Sequence, residues 1–209
     1  MKLLLATRSR HKAREVRRIL AGQGLEGCTI ITLDDAGIPW TQAEEGLEPH
    51  DTFEENAASK ARYFARLSRL VTVSDDSGLE VEALDGRPGV RTKRFAPRGR
   101  YPGLAQDDAN NRHLVECLDG LPPSARAARY VCVACVVDPA GGAVASFRGE
   151  APGRILTTAR GTGGFGYDPL FFDPELGRSY AELTPAEKDA RSHRGRAFRA
   201  LAAALRTQV

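Results

Sequence analysis

Lysine is scarce in this 209-residue chain: of its 30 Lys and Arg residues only five are lysine, Lys2, Lys12, Lys60, Lys93 and Lys188. Where arginine is so plainly the default cation, a lysine marks a position that asks for a compact point charge and not a planar fork. Long apolar runs are missing too. No run approaches a membrane span, and Met1 to Leu5 is too short for a secretion signal, so membrane and secreted classes drop out and a cytoplasmic enzyme is expected. The net charge of +3 fits small anionic ligands and calls for no nucleic-acid surface. Cysteines are few, and the one C-x-x-C, Cys132 and Cys135, lies within Arg129 to Val137, which reads as a strand whose residues three apart face opposite sides. Buried, reduced thiols are expected there, and no zinc site. Repeats and low-complexity segments are also absent.

What is present gathers in three segments. Gly161-Thr162-Gly163-Gly164-Phe165-Gly166-Tyr167-Asp168-Pro169 has four glycines in six residues, so the backbone there can take positive φ and approach a flat ligand. Phe165 and Tyr167 stand where a planar ring stacks, and Asp168 offers an acceptor, which suits a purine nucleotide; a Gly-rich hairpin with core aromatics is the plainer reading. Val71 to Leu79 reads as a β-branched run ending in Asp75, Asp76 and a turn. Adjacent acids disfavour each other's charge, which a divalent cation relieves, although Asp-Ser-Gly is also an ordinary turn. Finally, Thr7-Arg8-Ser9-Arg10-His11-Lys12 joins an apolar strand to a helix with Val16, Ile19 and Leu20 on one stripe, a ready anion site that lacks Walker A spacing; a solvated basic first turn is the plainer reading of the segment alone.

Around these segments the pattern alternates. Thr29 to Thr32 reads as a strand, and Asp51 to Leu67 as a helix with a Thr52/Glu55 capping box and a stripe of Phe53, Ala57, Ala61 and Phe64. Asn56 and Lys60 lie one turn apart on it. Strands are expected at Leu70 to Val73 and Glu80 to Leu84, a helix at Asp107 to Leu118, and a hairpin of Arg129 to Val137 with Ala143 to Arg148 around Pro139-Ala140-Gly141-Gly142. A capping box at Thr184 to Glu187 opens a helical segment to about Leu205, with Gly195 as its expected interruption. The fold expected is α/β, a mixed, strongly twisted sheet flanked by helices, with residues 1–209 as one domain of two lobes and the active-site cleft between them.

In order along the chain, these segments resemble the inosine triphosphate pyrophosphatase family, which removes non-standard purine nucleoside triphosphates from the nucleotide pool. The resemblance runs from Leu3 to Leu205 and rests on the Thr7 to Lys12 loop, Thr52-Phe53-Glu54-Glu55-Asn56-Ala57 with Lys60-Ala61, Ser74 to Leu79, Gly86-Arg87-Pro88-Gly89-Val90, Gly161 to Pro169, and Ala181 to Arg194.

The resemblance implies hydrolysis of ITP, dITP or XTP to the monophosphate and pyrophosphate by a Mg2+-dependent homodimer. It places Thr7, Arg8, Ser9, Arg10, His11 and Lys12 on the triphosphate and makes Asp76 proton acceptor and metal ligand. Asn56, Lys60 and Ser77 would touch the substrate, and Phe165, Gly166, Tyr167, Asp168, Lys188, His193 and Arg194 would enclose base and sugar. A second metal carboxylate is expected from Glu44, with Glu45 as the other choice. Two departures stand out: Ser9 where the family has asparagine, and Arg91-Thr92-Lys93-Arg94-Phe95 where aromatic and small residues are expected. The rival readings are a Maf-like pyrophosphatase, which would lack the Ser192-His193-Arg194 element, and a non-catalytic nucleotide- or RNA-binding module, against which the two acids argue.

Overall fold

A computed structural model describes residues 2–25, 27–140, 142 and 144–206. The elements are β1 (Lys2–Leu5), α1 (Arg10–Ala21), β2 (Thr29–Thr32), α2 (Phe53–Ser68), β3 (Val71–Val81), α3 (Gln106–Cys117), β4 (Ala127–Val137), β5 (Val144–Ile155), β6 (Phe171–Asp173), β7 (Arg178–Ser179), α4 (Pro185–Arg191) and α5 (His193–Arg206). They form the expected α/β fold on a seven-stranded sheet of order β2-β1-β3-β4-β5-β6-β7. The sheet is mixed: β1 runs parallel to β2 and β3, whereas β6 is antiparallel to β5 and β7.

The chain divides into two compact units, one of Met1–Asp76, Cys132–Gly149 and His193–Val209, the other of Ser77–Val131 and Glu150–Ser192. In the first, β1 alternates across the sheet. Leu3 and Leu5 pack with Val16 and Ile19 of α1 and Phe198 and Leu201 of α5, while Leu4 packs with Leu33 and with Phe64 of α2. Full burial of each such side chain stabilises by about 1.5–3 kcal/mol. The second unit is built on Leu79, Leu114, Leu118, Phe171 and the rings of Tyr130 and Tyr180.

Local signals hold where capping is strong. Thr52 accepts from Glu55 N at 3.2 Å and opens α2, and Thr184 does the same for α4 with Pro185 behind it. Two expectations change. β3 runs unbroken through Asp75 and Asp76 to Val81, and Glu82–Leu84 is a 3-10 turn, not a strand. Turn propensity loses there because both carboxylates find tertiary partners. The last helical segment breaks at Ser192, which is extended (φ −67, ψ 156), and not at Gly195, which lies buried inside α5. β5 reaches α5 through Gly149, where a Cβ would lie 2.2 Å from His193 O and 2.5 Å from Ala197 N. The hairpin strands are β4 and β5; Gly141 and Ala143 of their expected connection lie outside the described residues. Cys132 and Cys135 are buried free thiols in β4. No described helix is long and apolar enough to cross a membrane.

Candidate active site

Successive side chains of a strand point to opposite faces, so Asp75 and Asp76 part company in β3. Asp75 follows Val71 and Val73 toward α1 and α5. It has no solvent exposure, and its Oδ2 lies 2.9 Å from Lys12 Nζ and 3.3 Å from Arg194 Nη2. Arg194 Nη1 donates to Glu15 at 2.6 Å, closing a buried quartet of two acids and two bases, with the Cys132 thiol 3.8 Å from Asp75. Burial opposes the Asp75 charge, but Lys12, Arg194 and Lys60 more than offset it and hold the carboxyl far below its usual range.

Asp76 follows Ser74, whose hydroxyl donates to Ala57 O at 2.6 Å, and so faces α2. Asn56 Nδ2 donates to Asp76 Oδ2 at 3.1 Å, and Asn56 is itself held between the N–H and C=O of His50 at 2.9 and 3.1 Å. Here burial wins: the Asp76 carboxyl is raised, with Glu48 adding to the rise and Lys12, Lys60 and the Asn56 hydrogen bond opposing it. Lys60 bonds Glu48 and donates to the Asp75 carbonyl at 2.7 Å. One acid is thus held in its charged form, while burial disfavours the charge of the next.

Glu44, the expected metal carboxylate, lies in an ion pair. Glu44 receives Arg8 Nε and Nη2 at 3.0 and 2.7 Å, and Arg8 Nη1 and Nη2 also donate to Ile38 O and Pro39 O, both at 3.0 Å. Arg8 is therefore a tie across residues 38–44, with Glu44 as its partner. The carboxylate acting on Asp76 is Glu48, four residues before the α2 cap. A lysine already singled out, Lys60, leads to it. Among the described residues no three His, Cys, Asp or Glu side chains are gathered to hold a metal.

The Thr7 to Lys12 loop has two sides. Thr7 Oγ1 accepts from Ser9 N at 3.2 Å and Ser9 Oγ from Lys12 N at 3.3 Å, so the two hydroxyls shape the turn and cap α1. Lys12 points inward, only 4% exposed, while Arg8, Ser9 and Arg10 line an outer cavity of about 420 Å³ and His11 contacts Arg14.

In the second unit the nucleotide residues centre on Asp168, 2% exposed. Its Oδ2 accepts from Phe165 N at 2.8 Å and Lys188 Nζ at 2.5 Å, and its Oδ1 accepts from the Tyr130 hydroxyl at 3.3 Å. Lys188 Nζ stands 4.7 Å from the centre of the Phe165 ring. Gly164 (φ +73) permits this, since a Cβ there would fall 2.1 Å from Asp168 Oδ2. Three of the expected nucleotide residues have internal partners. Asp168 anchors the loop from within. Tyr167 is a core ring whose hydroxyl donates to Thr92 O at 2.7 Å. Arg194 is spent on Asp75 and Glu15, and with buried His193 it belongs to the first unit. Ser77 is buried directly after Asp76 in β3. Glu15, which the sequence reading passed over, sits three residues after Lys12 beside the apolar stripe of α1, where a charged residue requires a buried partner.

The chain is 48% identical over 206 residues to a dITP/XTP pyrophosphatase of Mycolicibacterium paratuberculosis, covering 98% of this chain and 96% of that protein. It is 47% identical over 206 residues to a dITP/XTP pyrophosphatase of Frankia alni, with 99% and 98% covered. A solved HAM1 protein from Coxiella burnetii matches with a TM-score of 0.83 at 34% identity, and a dITP/XTP pyrophosphatase from Mycobacterium abscessus with 0.72 at 39%, each over 100% of both chains. A model of the Ham1 family matches residues 3–204, and the chain belongs to that family.

Proposed function

We propose that this chain hydrolyses the non-standard purine nucleoside triphosphates dITP, XTP and ITP to the monophosphate and pyrophosphate; its relatives are named dITP/XTP pyrophosphatases. The observation that supports this most is the opposite treatment of adjacent acids: Asp75 is a counterion for Lys12 and Arg194, and Asp76 is the raised carboxylate. A water oxygen attacks the α-phosphorus, its proton passes to Asp76, and the bond to the bridging oxygen breaks with pyrophosphate leaving. Asn56 holds Asp76 for that transfer. Lys12 and Lys60 supply point charge against the triphosphate, with the loop from Thr7 through Ser9, Arg10 and His11 around it. In the second unit, the Phe165 ring stacks on the base, and Lys188 carries donors only, which suits a 6-oxo group and not a 6-amino group.

Asp76 and Glu48 repel each other's charge, the condition a divalent cation relieves, and Mg2+ is usually taken by one or two carboxylates together with substrate phosphates. These two residues would hold it, and bound Mg2+ would neutralise the triphosphate. Glu48→Gln is expected to raise the Mg2+ needed for half-maximal rate by at least about tenfold. Glu44→Gln, which touches the Arg8 tie and the Thr41 N–H at 3.3 Å, is expected to change it by less than about threefold in the same titration. The reverse pattern returns the ligand to Glu44.

Residues 1–209 are taken to work as one catalytic domain, cytoplasmic and dimeric as the family resemblance implies; sedimentation tests the last point. The activity is tested by pyrophosphate release from dITP, XTP, dGTP, dATP and modified pyrimidine triphosphates with Mg2+. Unpaired polar groups support discrimination of about 10⁴-fold against dATP in kcat/KM. Equal hydrolysis of dATP refutes the base reading. Release from modified pyrimidine triphosphates alone returns the Maf-like reading, and binding without release the non-catalytic one.

A further inference from the structure

We propose that Asp107 and Asn111 of α3 are positioning residues for base selection, clamping the Gly166 peptide so that the Phe165 ring is presented in one place. This rests on the pyrophosphatase reading above. The two side chains are one helical turn apart and share a face. Gly166 N donates to Asp107 Oδ2 at 3.1 Å, and Asn111 Nδ2 donates to Gly166 O at 2.9 Å, so one glycine is gripped by both its polar groups.

A grip is needed there. Gly163, Gly164 and Gly166 precede or flank Phe165, and glycine constrains its own φ and ψ less than any other residue. Gly166 sits at φ +61. Asp168 fixes Phe165 N from one side, and the clamp fixes the next residue from the other. Asp107 lies in the first turn of α3, and its carboxylate makes the bond to Gly166 N–H a charge-assisted one.

The helix that holds the clamp is itself anchored. Leu114 is fully buried, Asn110 Oδ1 accepts from Ala96 N at 2.9 Å, and Asn110 Nδ2 donates to Lys93 O at 3.2 Å. The Tyr167 hydroxyl donates to the neighbouring Thr92 O, so residues 92–93 tie the helix and the loop to one support. Asn111 Oδ1 is buried without a hydrogen-bond partner. A buried acceptor left unpaired is destabilising, so stability alone does not account for an asparagine at this position. Its donated bond to Gly166 does. Neither residue belongs to the unit that carries Asp76, Glu48 and Lys60, so the clamp is expected to act on base binding and leave the chemical step alone.

Isosteric exchanges separate the cases. Asn111→Asp keeps the shape but replaces the donor with an acceptor facing a carbonyl; Asp107→Asn keeps an acceptor for Gly166 N–H, and Asp107→Ala loses it. With dITP and XTP, Asn111→Asp and Asp107→Ala are expected to raise KM about tenfold with kcat within about twofold, and to narrow the preference over dATP by a similar factor. Asp107→Asn is expected to stay near wild type. Amide exchange of residues 161–168 is expected to speed up at least about tenfold in the two disrupting variants. Unchanged exchange and KM, or a fall in kcat at constant KM, overturns the clamp. If Asn111→Asp does not fold, Asp107→Ala carries both readouts. A wild type that releases no pyrophosphate from dITP refutes the activity and not the clamp, which the exchange measurement still decides.

Discussion

Asp76→Asn is expected to lower kcat and kcat/KM for dITP together by at least about 100-fold, the low end of what loss of a general base removes. The protein is expected to remain folded. Asparagine keeps an oxygen to accept the Asn56 bond, and it removes a buried charge that Glu48 opposes. The sign follows from linkage. The folded-state pKa of Asp76 lies above the unfolded value near 3.9, so its charge costs stability, increasingly as pH rises from about 4 through the folded pKa. At neutral pH the variant is therefore expected to melt at or above the wild-type temperature. Pyrophosphate release and a melting curve on the same sample test this. Near-normal turnover removes Asp76 from the proton-acceptor role, and a collapsed melting temperature removes the assignment of its burial.

Its neighbour is expected to behave in the opposite way. Asp75→Asn leaves Lys12 and Arg194 buried with Glu15 as their remaining carboxylate, and breaking a buried ion pair from one side costs about 3–5 kcal/mol. For a chain of this size that is a fall of roughly 6–20 °C in melting temperature. Here the folded pKa lies below the unfolded one. The stability Asp75 contributes is complete above about pH 4 and drains away as pH falls further. Wild type is accordingly expected to lose melting temperature on acidification below about pH 4, and the Asp75→Asn profile to be flatter there. Two adjacent substitutions with like effects on stability would contradict the placement of the two acids on opposite faces of β3.

Much of this was legible along the chain. The helix from Thr52 announced itself because its cap, first-turn acids and apolar stripe all lie within one helical stretch, and capping and periodicity are local forces. Lys12, Lys60 and Lys188 each meet a carboxylate, at Asp75, Glu48 and Asp168, partners that lie 63, 12 and 20 residues away in sequence. What the sequence could not divide was the labour between Asp75 and Asp76, since a turn and a strand suit Ser-Asp-Asp-Ser-Gly almost equally until partners are present. Nor could it tell that Arg8 holds Glu44 from 36 residues away, that Arg194 reaches Glu15 across 179 and Asp75 across 119, or that Tyr167 turns into the core. Residue type and spacing set which local structures and charges were available. Only the packed chain decided which charge met which, because the free energy of a buried ion depends on what surrounds it in space and not on its neighbours in sequence.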